Sequence, residues 1–269
     1  MFTAYKDAHV VVTGGANGIG KALALGFAKR GANVAVVDIH GDEAKAVAAE
    51  ITAMGCKSIA IQADVSVLDE CAKVYDTVMD AFGRCDVLVN DAGVSALSDV
   101  EHIPEKDLRW VFETNVYSHW FMMQKFLPQM RKQGTHCQIL NVCSIAGLIS
   151  MNGAPAYFSS KHAAVALSEC VYKQLKAENA NIDISIFCPG YVQTEMHLTD
   201  RHRPERFAIH DDEPYYHTEQ YAGMVAFNKM LLDSGAPLDI AVETIFTALE
   251  KEQCYNLDSA KYERLLCEQ

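Results

Sequence analysis

The sequence predicts an α/β fold: a doubly wound, mostly parallel sheet of about seven strands with helices on both faces. Three observations carry this reading. Short runs rich in Val and Ile recur along the chain with little polar alternation, as in strands buried on both faces. Amphipathic helical patterns separate these runs. A glycine cluster stands where the first run meets the first helical pattern.

In chain order the runs are HVVVT (9–13), NVAVVD (33–38), SIAIQ (58–62), DVLVN (86–90), CQILNVC (137–143) and IDISIFC (182–188). The helical patterns between them cover 18–30, 41–54, 67–82, 104–132 and 155–179. Gly31, Gly55 and Gly83 follow the first three, where a helix C-terminal glycine belongs. The rhythm breaks beyond Pro189. Residues 191–220 mix Met, Tyr, His and charged residues without a period and read as a substrate flap. Helices near 221–233 and 238–252 follow, and CYNL (254–257) reads as a last edge strand. The whole of 1–269 is expected to be one domain carrying that flap.

Composition narrows the function classes. Of the 269 residues, half are hydrophobic and 22% are charged, with 23 Lys and Arg against 35 Asp and Glu, a net charge of −12. An acidic balance argues against nucleic acid or an anionic membrane as partner. No apolar run approaches a membrane span, and the first residues lack a basic segment followed by a long apolar core. The nine cysteines are odd in number and contain no CxxC pair. They read as reduced thiols of a cytoplasmic protein, mostly small core hydrophobes. His197, His202, His210 and His217 have no metal-ligand spacing and read as solvated flap residues, so no metal is expected.

The segment VVVTGGANGIG (10–20) ends the first strand and opens the first helix. Gly14, Gly18 and Gly20 let the backbone turn, approach a pyrophosphate and pack helix on strand. Phosphates then meet the free N–H groups and positive dipole of a helix N-terminus. Asp38 ends the second strand 18 residues beyond Gly20. A carboxylate there accepts hydrogen bonds from both hydroxyls of the adenosine ribose and repels a 2′-phosphate. The next residues are Ile39 and His40, with no Arg or Lys adjoining. NAD(H) is therefore expected over NADP(H).

AYFSSK (156–161) places Tyr157 and Lys161 one helical turn apart, on one helix face. Together with the glycine spacing, this helix resembles the compact form of the short-chain dehydrogenase/reductase family, with its Rossmann-type fold. The resemblance runs from residue 9 to about 194. It includes Thr13–Gly20, Asp64-Val65 after the third strand, Asn90-Asp91-Ala92-Gly93 after the fourth, and Asn115. Ser144 stands thirteen residues before Tyr157, and Pro189-Gly190 and Thr194 follow the sixth strand. Asp91 departs from the family's second Asn. The resemblance implies a catalytic set of Asn115, Ser144, Tyr157 and Lys161. It places the cofactor on Gly14, Asn17, Gly18, Ile19, Gly20, Asp38, Ile39, Asp64, Val65, Asn90, Ala92, Gly93, Tyr157, Lys161, Pro189, Gly190, Val192 and Thr194.

The chemistry explains the pairing. Oxidising a secondary alcohol requires a base for the hydroxyl proton as hydride leaves carbon. A free phenol has a pKa of about 10, and a nearby cation stabilises its phenolate. The resemblance gives Lys161 a second role on the nicotinamide ribose, Ser144 a hydrogen bond to the substrate oxygen, and Asn115 a water beside the lysine.

Pocket walls are expected from the segments after Gly93, Ser144 and Gly190: Ser95, Leu97, Ser144, Ile149, Met151, Tyr191 and Met196. Val94 and Leu148 add to them, with Phe207, Tyr215, Tyr216 and Met224 from the flap. This apolar lining suggests a bulky secondary alcohol or ketone, such as a hydroxysteroid or aryl carbinol. Arg201, Arg203 and Arg206 are candidates for an acidic tail on it. The alternatives are a polyol, sugar or small 3-hydroxyacyl dehydrogenase of the same family, or a non-enzymatic dinucleotide-binding regulator. Helices 104–132 and 155–179 carry more apolar residues than a one-sided surface helix needs, and the resemblance implies that they pair between subunits of a homodimer or homotetramer.

Overall fold

The computed structural model describes residues 5–209, 213–251 and 254–257. Six strands form the body of a parallel sheet: β1 (His9–Thr13), β2 (Asn33–Asp38), β3 (Ser58–Gln62), β4 (Val87–Asn90), β5 (Cys137–Val142) and β6 (Ile182–Cys188). A three-residue strand, β7 (Tyr255–Leu257), completes one edge, and the order is β3-β2-β1-β4-β5-β6-β7. Every pairing is parallel. The chain leaves β1 toward β2 on one side and returns to β4 on the other, opening a crevice at the carboxyl ends of β1 and β4.

Helices α1 (Gly18–Lys29), α2 (Gly41–Ala53) and α8 (Leu238–Glu250) cover one face. Leu23, Phe27, Val47, Ile51, Ile245 and Phe246 pack there on Val10, Val12, Val34 and Val36. Helices α3 (Leu68–Phe82), α5 (Ser118–Gln133) and α6 (Pro155–Ala177) cover the other. There Val74, Met122, Phe126, Met130 and Leu175 pack on Val11, Ala35, Val37 and Leu88. Neighbouring strand residues thus feed opposite cores, which is why the runs show no alternation. β3 is the exception. It is an edge strand with only Ile61 buried and Gln62 exposed, so its run is not buried on both faces as the sequence suggests.

The predicted helix 104–132 is interrupted. It consists of α4 (Glu105–Phe112), a π-helical turn (Glu113–Tyr117) and α5. The extra residue of a π-turn is accommodated where Asn115 fastens itself to Val94, and such turns recur at functional sites. Beyond β6, three short 3₁₀ turns lead into α7 (Glu219–Asp233): Met196–His202, Glu205–Phe207 and Pro214–His217. His210 lies outside the described residues. Of the cysteines, 71, 85, 137, 143 and 188 are buried in the core, Cys56 and Cys254 are half-buried, and Cys170 is exposed. Cys267 lies outside the described residues. Among the described residues, no helix is long and apolar enough to cross a membrane.

Candidate active site

A cavity of about 560 Å³ opens in the crevice. One end of it is built from the first βα turn. Gly14 takes φ 65°, and a Cβ there would lie 3.0 Å from the Ala92 backbone. Asn17 caps α1, its side-chain oxygen accepting the Gly18 amide at 2.7 Å. Of the amides that follow, Gly20's goes to Asp91 and Lys21's to the Asn17 carbonyl, which leaves the Ile19 amide where Gly14, Gly18 and Ile19 line the cavity, a setting suited to phosphate. Gly20 packs behind the loop, where a Cβ would meet the Gly14 carbonyl and Asp91 Oδ2.

Asp38 stands at the same end, 8% exposed. Its Oδ2 accepts the Ala16 amide at 3.1 Å and its Oδ1 accepts the His40 amide at 3.0 Å. Both oxygens are thereby fixed, with lone pairs left toward the cavity. Asp64 and Val65 line the wall beside it.

At the other end, Tyr157 and Lys161 project from the first turns of α6 beside Ser144. The Lys161 ammonium lies 5.8 Å from the centre of the Tyr157 ring and donates to the Val142 carbonyl at 3.2 Å. It is 2% exposed. Ser144 caps a 3₁₀ turn (Ile145–Gly147), its Oγ accepting the Ala146 amide at 3.1 Å. That leaves its hydroxyl hydrogen for a molecule in the cavity. Asn115 binds the Val94 backbone twice, accepting its N–H at 2.8 Å and donating to its C=O at 2.9 Å, and donates to Ser160 Oγ at 3.0 Å. It thus ties the π-turn, α6 and the loop after β4 together.

Most of the site residues expected from sequence line this one cavity, including Ser95, Leu97, Ile149, Met151, Tyr191 and Met196. Gly20, Asn90 and Asn115 do not. Asn90 is 1% exposed and donates to Asn141 Oδ1 at 2.8 Å, so it joins strands β4 and β5 rather than facing a ligand. Leu148 packs behind the wall against a small core cluster of Ala164, Val165 and Ile186. Phe207 packs on Val94 and Trp110. Tyr215 and Tyr216 meet Tyr221 edge to face and join the flap to α7.

The flap arginines are not free for a substrate's acidic tail. Arg203 is buried against Asp107 at 2.6 Å, also binds Asp200, and lies over the Trp110 ring. Arg206 binds Asp64, and Arg201 binds Glu195 at 2.8 Å. Nor is His202 solvated. Its ring lies against His40, and burial first, then Arg201, pushes its pKa down to about 4.

Several residues escape the sequence reading. Met224, Phe227, Asn228 and Leu231 reach the cavity from α7. Of these, the sequence singles out only Met224, although the i, i+3, i+4, i+7 spacing carries the signal. Trp110 and Phe158 also line it. Asp91 presses its carboxylate on the glycine turn and accepts the Gly20 amide, and burial raises it to about 7. His119, one turn beyond Asn115, is fully buried, and burial with the Lys161 charge lowers it to about 3. No spacing in the sequence marks His119, and the sequence marks Asp91 only as a departure from the family's second Asn.

Residues 8–205 match the sequence model of the family described as short chain dehydrogenase. The chain belongs to that family. It is 35% identical to a CLA biosynthesis dehydrogenase/reductase of Lactiplantibacillus plantarum, over 97% of this chain and 91% of that one. It is 32% identical to a diacetyl reductase [(S)-acetoin forming] of Staphylococcus epidermidis, over 69% of this chain and 72% of the other. Among solved structures, a short chain dehydrogenase/reductase from Burkholderia phymatum in complex with NAD superposes with a TM-score of 0.94. It is 27% identical, covering 99% of this chain and 94% of that one. The short chain dehydrogenase described here is thus an oxidoreductase by family, with the family's parallel sheet and helices on both faces.

Proposed function

We propose that the protein is an NAD(H)-dependent oxidoreductase that interconverts a bulky, mainly apolar secondary alcohol and its ketone. The observation that carries this is a single cavity with Asp38 at one end and Tyr157, Lys161 and Ser144 at the other. The glycine turn leaves a cradle that side chains would fill, and this fits a pyrophosphate. The relative solved with NAD supports a nicotinamide dinucleotide, and Asp38 favours the form without a 2′-phosphate.

Bound there, the oxidised nicotinamide supplies the acceptor for hydride from the carbinol carbon. The chain's own residues handle the proton. Ser144 donates to the substrate oxygen and orients it. The Tyr157 oxygen takes the hydroxyl proton as the carbonyl forms, and returns it in the reverse direction. The Lys161 ammonium provides the positive charge that a developing phenolate requires. Asn115 holds the Val94 backbone that walls this corner.

The substrate end is walled by Val94, Leu97, Ile149, Met151, Met224 and Phe227. Met151 and Phe227 remain half-exposed at its mouth, 50% and 55%, an apolar rim that a large substrate would cover. A polyol would leave hydroxyls unpaired against such a wall, each costing about 1–3 kcal/mol. The test is kcat/KM with NAD⁺ for steroid, aryl and polyol alcohols side by side. The highest values are expected for the bulky apolar compounds. Polyols or short aliphatic alcohols outperforming all of them would defeat the substrate assignment.

A further inference from the structure

The flap reaches past the substrate end of the cavity. Glu195, Met196, Thr199, Arg201, His202 and Pro204 line the same space as Asp38, Ile39 and Asp64. Three of its contacts with the body belong to different turns of the adenosine end. At the glycine turn, Asn17 Nδ2 donates to Glu195 Oε2 at 3.5 Å. After β2, His40 Nε2 and His202 Nδ1 are 3.0 Å apart. After β3, Arg206 donates to Asp64 Oδ2 at 2.5 Å and to Ser66 Oγ at 2.6 Å.

The proton positions in the histidine pair follow from their neighbours. Arg201 Nε donates to His202 Nε2 at 3.1 Å, so Nε2 is an acceptor and the proton sits on Nδ1. His202 Nδ1–H then donates to His40 Nε2. Both rings are neutral in this arrangement, and the His40 amide behind them donates to Asp38 Oδ1. The flap therefore bears on Asp38 through His40 and on Asp64 through Arg206.

The flap is firmly seated behind these contacts. Arg203 and Phe207 are buried on either side of Arg206, against Asp107 and the Trp110–Val94 cluster. The 3₁₀ turn Glu205–Phe207 holds Arg206 between two fixed points. Arg206 also neutralises Asp64 and orients its carboxylate. Without it, the Asp64 carboxylate would keep its Ser66 hydrogen bonds, but its charge would stand uncompensated in a cavity that receives a dianionic pyrophosphate.

On these grounds we infer that the flap forms the second wall of the dinucleotide site. Arg206, acting through Asp64, and His202, acting through His40, are positioning residues for the adenosine half. The inference rests on the dinucleotide reading above and extends it. One segment then closes over both the substrate and the far end of the cofactor, and the cofactor leaves only when the flap lifts.

The test uses the full-length protein and three probes: NADH, ADP-ribose for the adenosine half, and nicotinamide mononucleotide for the other half. Affinities come from NADH fluorescence and its displacement, with thermal melting as a folding control. Arg206→Gln is expected to weaken NADH and ADP-ribose by a common factor of about tenfold or more, the range of a charge-assisted contact. Nicotinamide mononucleotide should change less than about twofold, and Arg206→Lys should recover part of the loss. His202→Leu leaves the ion pairs in place and should weaken ADP-ribose selectively as well. Unchanged ADP-ribose affinity in both variants would overturn the inference. So would equal losses for the two half-probes, which would mark a general structural role. A wild-type protein that binds neither NADH nor ADP-ribose would overturn the dinucleotide reading itself, and this inference with it.

Discussion

Tyr157 and Lys161 lie at the residue scale, where the sequence is most explicit, because a four-residue spacing fixes a shared helix face whatever the tertiary context. On the proposed mechanism, Tyr157→Phe removes only the acid–base oxygen. Turnover should fall by about two orders of magnitude or more while NADH affinity stays near wild type, as measured by steady-state kinetics and fluorescence titration. Asp91 is the opposite case, since its surroundings come from three separate segments. Burial raises its pKa to about 7, above the unfolded value of about 3.9. The folded chain thus holds this proton more tightly. The contribution to stability is full below about pH 4 and is lost as pH rises through about 7. Asp91→Asn keeps an oxygen for the Gly20 amide and has no proton to lose. Its melting temperature should exceed wild type by about 2–4 °C at pH 8, with no gain at pH 4. Parallel melting profiles for the two proteins across pH would contradict this.

At the scale of elements, the strands and most helices are legible because a parallel sheet buries whole runs of Val and Ile between helix layers. The π-turn at Glu113–Tyr117 is not legible, since its cause is a bond from Asn115 to Val94, 21 residues away. The flap is legible as a break in the rhythm at 191–220, but the way it is seated is not, for the same reason. Its stability comes from Arg203 meeting Asp107 across 96 residues, and periodicity carries no trace of such a pair. Arg203→Met would strand the Asp107 carboxylate in a buried site, and breaking such a pair costs about 3–5 kcal/mol. Faster hydrogen exchange is expected through Met196–Phe207, with little change in β1 or β4. Uniform protection in the variant would show that the pair does not hold the flap.

For the whole molecule, the sheet order places two chemically different ends on one crevice. In the proposed function the Asp38 end sets cofactor choice, and Asp38→Ala should then narrow a preference for NAD(H), read as the ratio of kcat/KM for the two cofactors. A wild-type protein preferring NADPH would remove that assignment. In the same proposal the Tyr157 end sets the reaction, and the apolar walls from the loops after β4 and β5 and from α7 set the substrate. The first two are readable as motifs. The third is read only in part, because α7 comes back to the cavity after the long aperiodic flap. The most direct measurement of the central claim is the appearance of NADH absorbance when wild-type protein and Tyr157→Phe are each given NAD⁺ and a bulky apolar secondary alcohol. The account predicts steady NADH formation by wild type and a rate at least about 100-fold lower in the variant. Equal rates in the two proteins, or no NADH from wild type with any such alcohol, would contradict it.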